Sequence, residues 1–332
     1  MKDIFSKNLL FILLSVYISC NSANPGYTDH QALIYDSLAN EDDGNCKYQI
    51  TTVSPEWSKE LGDQIVESSG LIFWEGVLWT MNDDTDTRLF QVDTGSAMIT
   101  DTYFVQGVVN HDWEEMAQDL EYIYVGDFGN NGGDRKDLHI LRIQKKSMSS
   151  DQPVIDTIWF SYSDQRNFDS NGFNQTDFDC EAFIIVSDQI YLFTKQWMSM
   201  NTTLYELSKK PGAHVAQKRE VFPIDGLVTG ATCLEEERLL VLCGYIGFFQ
   251  PFLYLFYDYE GDGFFSGTHL RINLNLPLHQ VESVCTLDGI HYYITNERYK
   301  LDSRVNIPQK LHKVDLSEHL EAYLGARRNL IK

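Results

Sequence analysis

Ser69-Gly70-Leu71, Glu114-Glu115-Met116, Glu181-Ala182-Phe183, Thr229-Gly230-Ala231 and Glu282-Ser283-Val284 are five versions of one phrase. Each places a hydroxyl or carboxylate ahead of small and apolar residues that lead into a strand-like run. The starts lie about 45 to 67 residues apart, and self-similarity near that period marks propellers and solenoids. Alternation with period two, broken by turn residues, divides the chain after each phrase into strands. The first four sets hold four strands each, at 71–74, 77–81, 88–92 and 98–105, then 114–118, 122–126, 138–143 and 154–162, then 181–186, 190–194, 203–207 and 215–221, then 229–234, 238–243, 252–257 and 268–272. The fifth set, 282–287, 290–295 and 310–314, lacks a fourth strand. Residues 47–53 belong to no repeat and are expected to supply it, closing the ring. The expected fold is all-β: a five-bladed β-propeller over 47–316, four antiparallel strands per blade, the last blade closed by an N-terminal strand. Residues 317–332 read as a C-terminal helix and tail, the helix stopped by Gly325.

If each phrase opens the innermost strand of a blade, Ser69, Glu114, Glu181, Thr229 and Glu282 converge on one axis. Second strands run antiparallel to the first, so their exits surround the same mouth. Those exits carry Asn82, Asp83 and Asp84, then Asp127, Asn130 and Asn131, then Lys195 and Trp197, then Tyr245, then Asn296 and Arg298. Three glutamates at one axis must protonate or be neutralised by a cation. Carboxylate and hydroxyl oxygens suit a hard ion, and calcium tolerates irregular coordination better than magnesium. No His or Cys occupies a ring position, which disfavours zinc. The five ring residues are therefore candidate calcium ligands. The alternative, glutamates capping strand starts above a water-filled tunnel, stays open.

The 332 residues carry 26 basic and 48 acidic side chains, a formal charge of −22. Such a field repels nucleic acid and anionic membrane surfaces. Apolar residues at 43% and aromatics at 13% mark a globular chain. Lys2, Lys7 and the apolar run 9–18 form a signal-peptide pattern too short to span a bilayer. It ends at Ser19-Cys20, which resembles a lipobox with Tyr17 where Leu is usual. Residues 1–20 are read as a signal peptide of lipoprotein type, Cys20 as the lipidation site and 21–46 as a polar tether. The protein is expected to be exported as a cell-envelope lipoprotein touching the membrane only through its anchor, or else periplasmic or secreted. Cys46, Cys180, Cys233, Cys243 and Cys285 remain, an odd number without a CxxC pair; Cys180, Cys233 and Cys285, in or beside the inner strands, read as small buried packing residues, with one disulfide between blades as the alternative.

Taken together, these residues resemble the soluble calcium-activated apyrases, five-bladed propellers with one axial calcium. In that family the inner-strand starts run Ser, Glu, Glu, Ser, Glu; here Thr229 replaces the second Ser. Asn82-Asp83-Asp84-Thr85 is similar to the family's acidic turn, 125–129 to its second-blade glycine loop, and Lys195 falls where a basic residue is expected. Asp112-Trp113-Glu114-Glu115 and the run 126–131 also look like a broad group of uncharacterised bacterial secreted propellers. The chain departs from the apyrases in its mouth, where Lys195 and Arg298 are the obvious phosphate partners among many acids. Three functions follow as expectations. The first is a calcium-binding surface propeller that binds a small molecule, glycan or protein. The second is a calcium-dependent phosphoanhydride or phosphoester hydrolase, with Glu114 or Glu282 orienting water, Asp127 a further candidate, and Lys195 and Arg298 taking up charge. The third is a glycoside hydrolase using two axial carboxylates.

Overall fold

The computed structural model describes residues 23–26, 38–39, 41–42 and 51–331, apart from 151, 171 and 303. The segment 1–20 expected to be a signal peptide, with Cys20, and most of the expected tether 21–46, with Cys46, lie outside the described residues. The chain forms two units, 1–49 and 50–332. In the first, Pro25–Gly26 (β1) pairs in parallel with Glu41–Asp42 (β2).

The second unit is all-β apart from one long helix. It opens with Thr51–Val53 (β3) and Trp57–Glu60 (β4). Four antiparallel sets follow. The first is Ser68–Trp74 (β5), Val77–Asn82 (β6), Arg88–Val92 (β7) and Ile99–Phe104 (β8), and the second is Trp113–Gln118 (β9), Tyr122–Asp127 (β10), His139–Gln144 (β11) and Ile155–Tyr162 (β12). The third is Asp179–Val186 (β13), Gln189–Lys195 (β14), Thr202–Ser208 (β15) and Gly212–Phe222 (β16), and the fourth is Leu227–Leu234 (β17), Leu239–Ile246 (β18), Gln250–Tyr257 (β19) and Thr268–Leu274 (β20). A last set holds Val281–Thr286 (β21), His291–Asn296 (β22), the small hairpin Tyr299–Leu301 (β23) and Val305–Ile307 (β24), and Lys310–Asp315 (β25). Helix α1 spans Ser317–Ile331.

The first strands meet one another in closed order, β5 to β9 to β13 to β17 to β21 and back to β5. This radial closure is a β-propeller arrangement. The core sits between neighbouring sheets: Ile72, Trp79 and Leu89 of one sheet pack on Met116, Val125 and Leu141 of the next. Each such large apolar side chain contributes about 1.5–3 kcal/mol by leaving water. Cys180, Cys233, Cys243 and Cys285 are all free thiols inside this packing.

Three details differ from the sequence expectation. The last set is completed by β4, antiparallel to β25 with Leu311 opposite Lys59. The expected closing segment does something else: its described part, β3, adds in parallel to the outer edge of β20. Trp57 explains the choice, because its ring reaches across β25 and packs on Tyr293 of β22. Secondly, β12 and β16 pair in parallel, from Ile158 opposite Gly212 to Tyr162 opposite Ala216, fusing two sets into one eight-stranded sheet. That pairing covers two otherwise open edges. Thirdly, α1 runs through Gly325. A mid-helix glycine costs about 1 kcal/mol, and burial of Leu320 and Leu324 offsets it.

Candidate functional site

Every first strand breaks register at the repeated phrase. The residue left without a partner is Glu114, Glu181, Thr229 or Glu282, and in β5 it is Gly70, one place after Ser69. A bulge bends the strand and re-aims a side chain. Here the bulges turn the three glutamates into a pocket of about 500 Å³ at the mouth of the axis. Gly70 adopts φ 62°, and a Cβ there would stand 2.6 Å from the Met116 amide nitrogen, so the first inner strand can approach the second only as glycine.

The two ring hydroxyls act differently. Ser69 Oγ donates to the Glu114 carbonyl, and Thr229 Oγ1 donates to the Val281 carbonyl at 2.7 Å. They stitch neighbouring inner strands and do not line the pocket. Two acids outside the predicted ring and mouth residues also line the cavity. Asp112 and Glu297 join Asp83, Glu114, Glu181 and Glu282 around the cavity. The signal for both was present: Asp112 stands two residues before Glu114, and Glu297 follows Asn296.

One ammonium faces these six acids. Lys195 ends β14, is buried, and donates from Nζ to Glu181 Oε1 at 2.7 Å. Its Nζ lies 4.8 Å from the Trp197 ring centre and 5.5 Å from that of Tyr245. Trp197 is oriented in turn by its indole N–H, which donates to Asp179 Oδ2 at 2.8 Å. Burial alone would lower the Lys195 pKa; Glu181, Tyr245, Glu282 and Asp179 outweigh it and hold the group well above its ordinary value.

The acids show the opposite strain. Burial, then the charge of Glu181 and Asp112, drives Glu114 well above the ordinary carboxylate range. Burial lifts Glu282 to about 7, opposed by Lys195. Burial with Glu67, Glu282 and Asp112 lifts Asp83 to about 8, and burial with Asp179 lifts Asp112 to about 6. Glu181 and Glu297 are raised as well, by burial first. Glu282 Oε1 is buried with no hydrogen-bond partner.

The remaining predicted mouth residues divide. Asn131 and Tyr245 line the pocket. Asp127, fully buried, accepts from Arg135 Nη2 at 2.7 Å and from the His111 amide at 3.0 Å. Asn130 binds the Phe178 carbonyl and the Arg135 amide. Both bolt down the 128–135 loop, which holds Gly129 so close to Glu114 and Asp112 that a Cβ would collide with both carboxylates. Asn82 and Asn296 serve backbone groups of neighbouring loops, and Asp84 is exposed and caps its own turn. Arg298 pairs with Asp63 at 2.6 Å and does not line the cavity.

Below the pocket the axis is plugged. Glu115 is fully buried on β9, and its Oε2 accepts the Ala231 amide of β17 at 2.9 Å. Its carboxylate also accepts from the Met116 and Leu71 amides. Beyond it lies a second cavity of about 250 Å³, lined by 71–73, 116–118, 183–185, 231–234 and 285–287.

The chain is similar to the structure of U3-55K, at 12% identity and a TM-score of 0.37, covering 75% of this chain and 68% of that one. It is also similar to the WD40 repeats of RRP9, at 10% identity and a TM-score of 0.41, covering 80% of this chain and 100% of that one. No family model matches the chain, and no curated protein matches it.

Donor chemistry at the pocket fits a hard divalent cation. Its lining is rich in carboxylates, and one buried carboxylate oxygen is unpartnered. Among the described residues, no three His, Cys, Asp or Glu side chains already stand grouped as ligands.

Proposed function

We propose that this is an exported, lipid-anchored, five-bladed β-propeller that binds a ligand in its axial mouth, with calcium as the ion at the acidic floor. The observation that carries the reading is the excess of acid: six carboxylates line one cavity against a single ammonium, and Glu282 Oε1 is buried without a partner. Uncompensated buried charge of this density is costly, and a divalent ion bound by carboxylate oxygens removes the cost. Glu114, Glu181 and Glu282 would hold the ion, with Asp83, Asp112 and Glu297 adding charge. Ser69 and Thr229 would serve by fixing the strands that carry these glutamates. When bound, calcium supplies charge compensation and oxygen coordination for a ligand.

A phosphate-processing role is less well supported. Lys195 is the only basic side chain lining the cavity among the described residues, and it is already paired with Glu181. The test is metal analysis of the purified protein, followed by melting curves with calcium, magnesium and chelator. One calcium per chain and a calcium-specific rise in melting temperature support the reading. Absence of both removes the ion from it. Nucleotide and phosphoester assays under the same conditions decide the hydrolase reading.

A further inference from the structure

We propose that the ligand of the axial pocket is an organic cation, an ammonium head on an apolar body. The inference rests on reading this pocket as a ligand site and names the chemistry the ligand must carry.

The pocket already shows what it accepts. Lys195 Nζ is held between the rings of Trp197 and Tyr245, at 4.8 and 5.5 Å from their centres, and against the Glu181 carboxylate. An aromatic face beside a carboxylate is the environment that replaces the water around an ammonium. A second place of the same kind is unfilled by the protein. Glu282 is 4% exposed, and its Oε1 has no hydrogen-bond partner.

The aromatic wall beside it is built under strain. The β18–β19 hairpin turns through 247–249, and Phe249 adopts φ 51°. A bulky side chain is rarely found in that left-handed region, and such strain gathers at ligand clamps. The strain delivers a ring to the cavity: Phe249 packs edge-on against Tyr245 and Tyr299, with centroids 5.0 and 4.8 Å away. Its carbonyl accepts the Leu278 amide at 3.1 Å, which pins the turn. Phe248 beside it is 66% exposed on the pocket rim, where no core requires it.

Other ligand classes leave part of this unexplained. A bare metal ion uses the carboxylates and ignores the rings. An anion meets six carboxylates and one ammonium. A neutral sugar uses the rings and leaves the excess of carboxylates in the cavity unmatched.

The experiment titrates the full-length protein with choline and with butylamine, by calorimetry and melting temperature, in calcium and in chelator. Their uncharged counterparts, dimethylbutanol and butanol, are run alongside. At least one ammonium probe is expected to bind about tenfold more tightly than its neutral counterpart. Phe248→Ala and Glu282→Gln are each expected to weaken that binding several-fold while unfolding stays cooperative. Equal binding of charged and neutral probes overturns the inference, as does binding of neutral sugars with no ammonium binding. If calcium binds and no ammonium probe does, the inference fails and the reading of the pocket as an ion site stands. If neither binds, both fail.

Discussion

Lys195 Nζ and Glu181 Oε1 stand 2.7 Å apart, and both side chains are at most 5% exposed. A buried pair of this kind adds little net stability, but removal of one partner strands the other, typically at about 3–5 kcal/mol. Lys195→Met is therefore expected to lower the unfolding free energy by roughly that amount in chelator. Calcium should restore part of the loss, because the stranded charge is the kind that calcium compensates. Urea unfolding with and without the ion checks both halves.

The raised carboxyls set a pH dependence of known sign. Asp112, Glu282 and Asp83 are lifted to about 6, 7 and 8 by burial and neighbouring charge. Their folded-state values lie above the unfolded carboxylate value near 4, so the folded protein binds more protons across the interval. Their contribution is fully present below about pH 4 and is lost as pH rises through about 8. Calcium-free protein is expected to melt at falling temperature from pH 5 to about 8.5, and Asp83→Asn to flatten the slope. Melting curves in chelator across that range decide it; a rising curve contradicts the charge assignment.

Gly129 tests whether the glycine loop shapes the floor. A Cβ at this position would strike the Glu114 and Asp112 carboxylates. Gly129→Ala is expected to weaken calcium binding by about tenfold or more, since it pushes two carboxylates out of the positions that hold the ion. Loss of stability should be modest, about 1 kcal/mol, because the collision is with movable side-chain ends. Unchanged calcium affinity would place the ion elsewhere.

Glu115 tests the axial plug. Its carboxylate accepts amides from β9, β17 and β5. Glu115→Ala leaves buried N–H groups without partners, at about 1–3 kcal/mol each. Glu115→Gln keeps an acceptor oxygen and should recover much of the loss. Chemical denaturation of the two variants distinguishes a hydrogen-bonding hub from a dispensable buried charge.

The repeat and the site were legible to different depths. The phrase located all five inner strands, since a bulge with a small or polar residue repeats as a chemical pattern in sequence. It located the three glutamates of the pocket for the same reason. It did not disclose the carbonyl partners of Ser69 and Thr229, because a hydroxyl reads alike whether it faces an axis or a neighbour's carbonyl. Closure by Trp57–Glu60 was hidden by composition: Ser58, Lys59 and Glu60 look like a loop, and the pairing shows only in the register of this strand with Lys310–Lys313. The exit of the third set's second strand already put Lys195 at the mouth, whereas the left-handed Phe249 depends on turn geometry, which no spacing rule encodes.

The most direct measurement is a calcium titration of the full-length wild-type protein and its Glu282→Gln variant at pH 8, by calorimetry after chelator treatment. The axial cation site predicts one calcium per wild-type chain and at least a tenfold weaker affinity in the variant, in keeping with loss of a charged ligand. No heat of binding and no calcium-dependent rise in melting temperature for the folded wild type would contradict it.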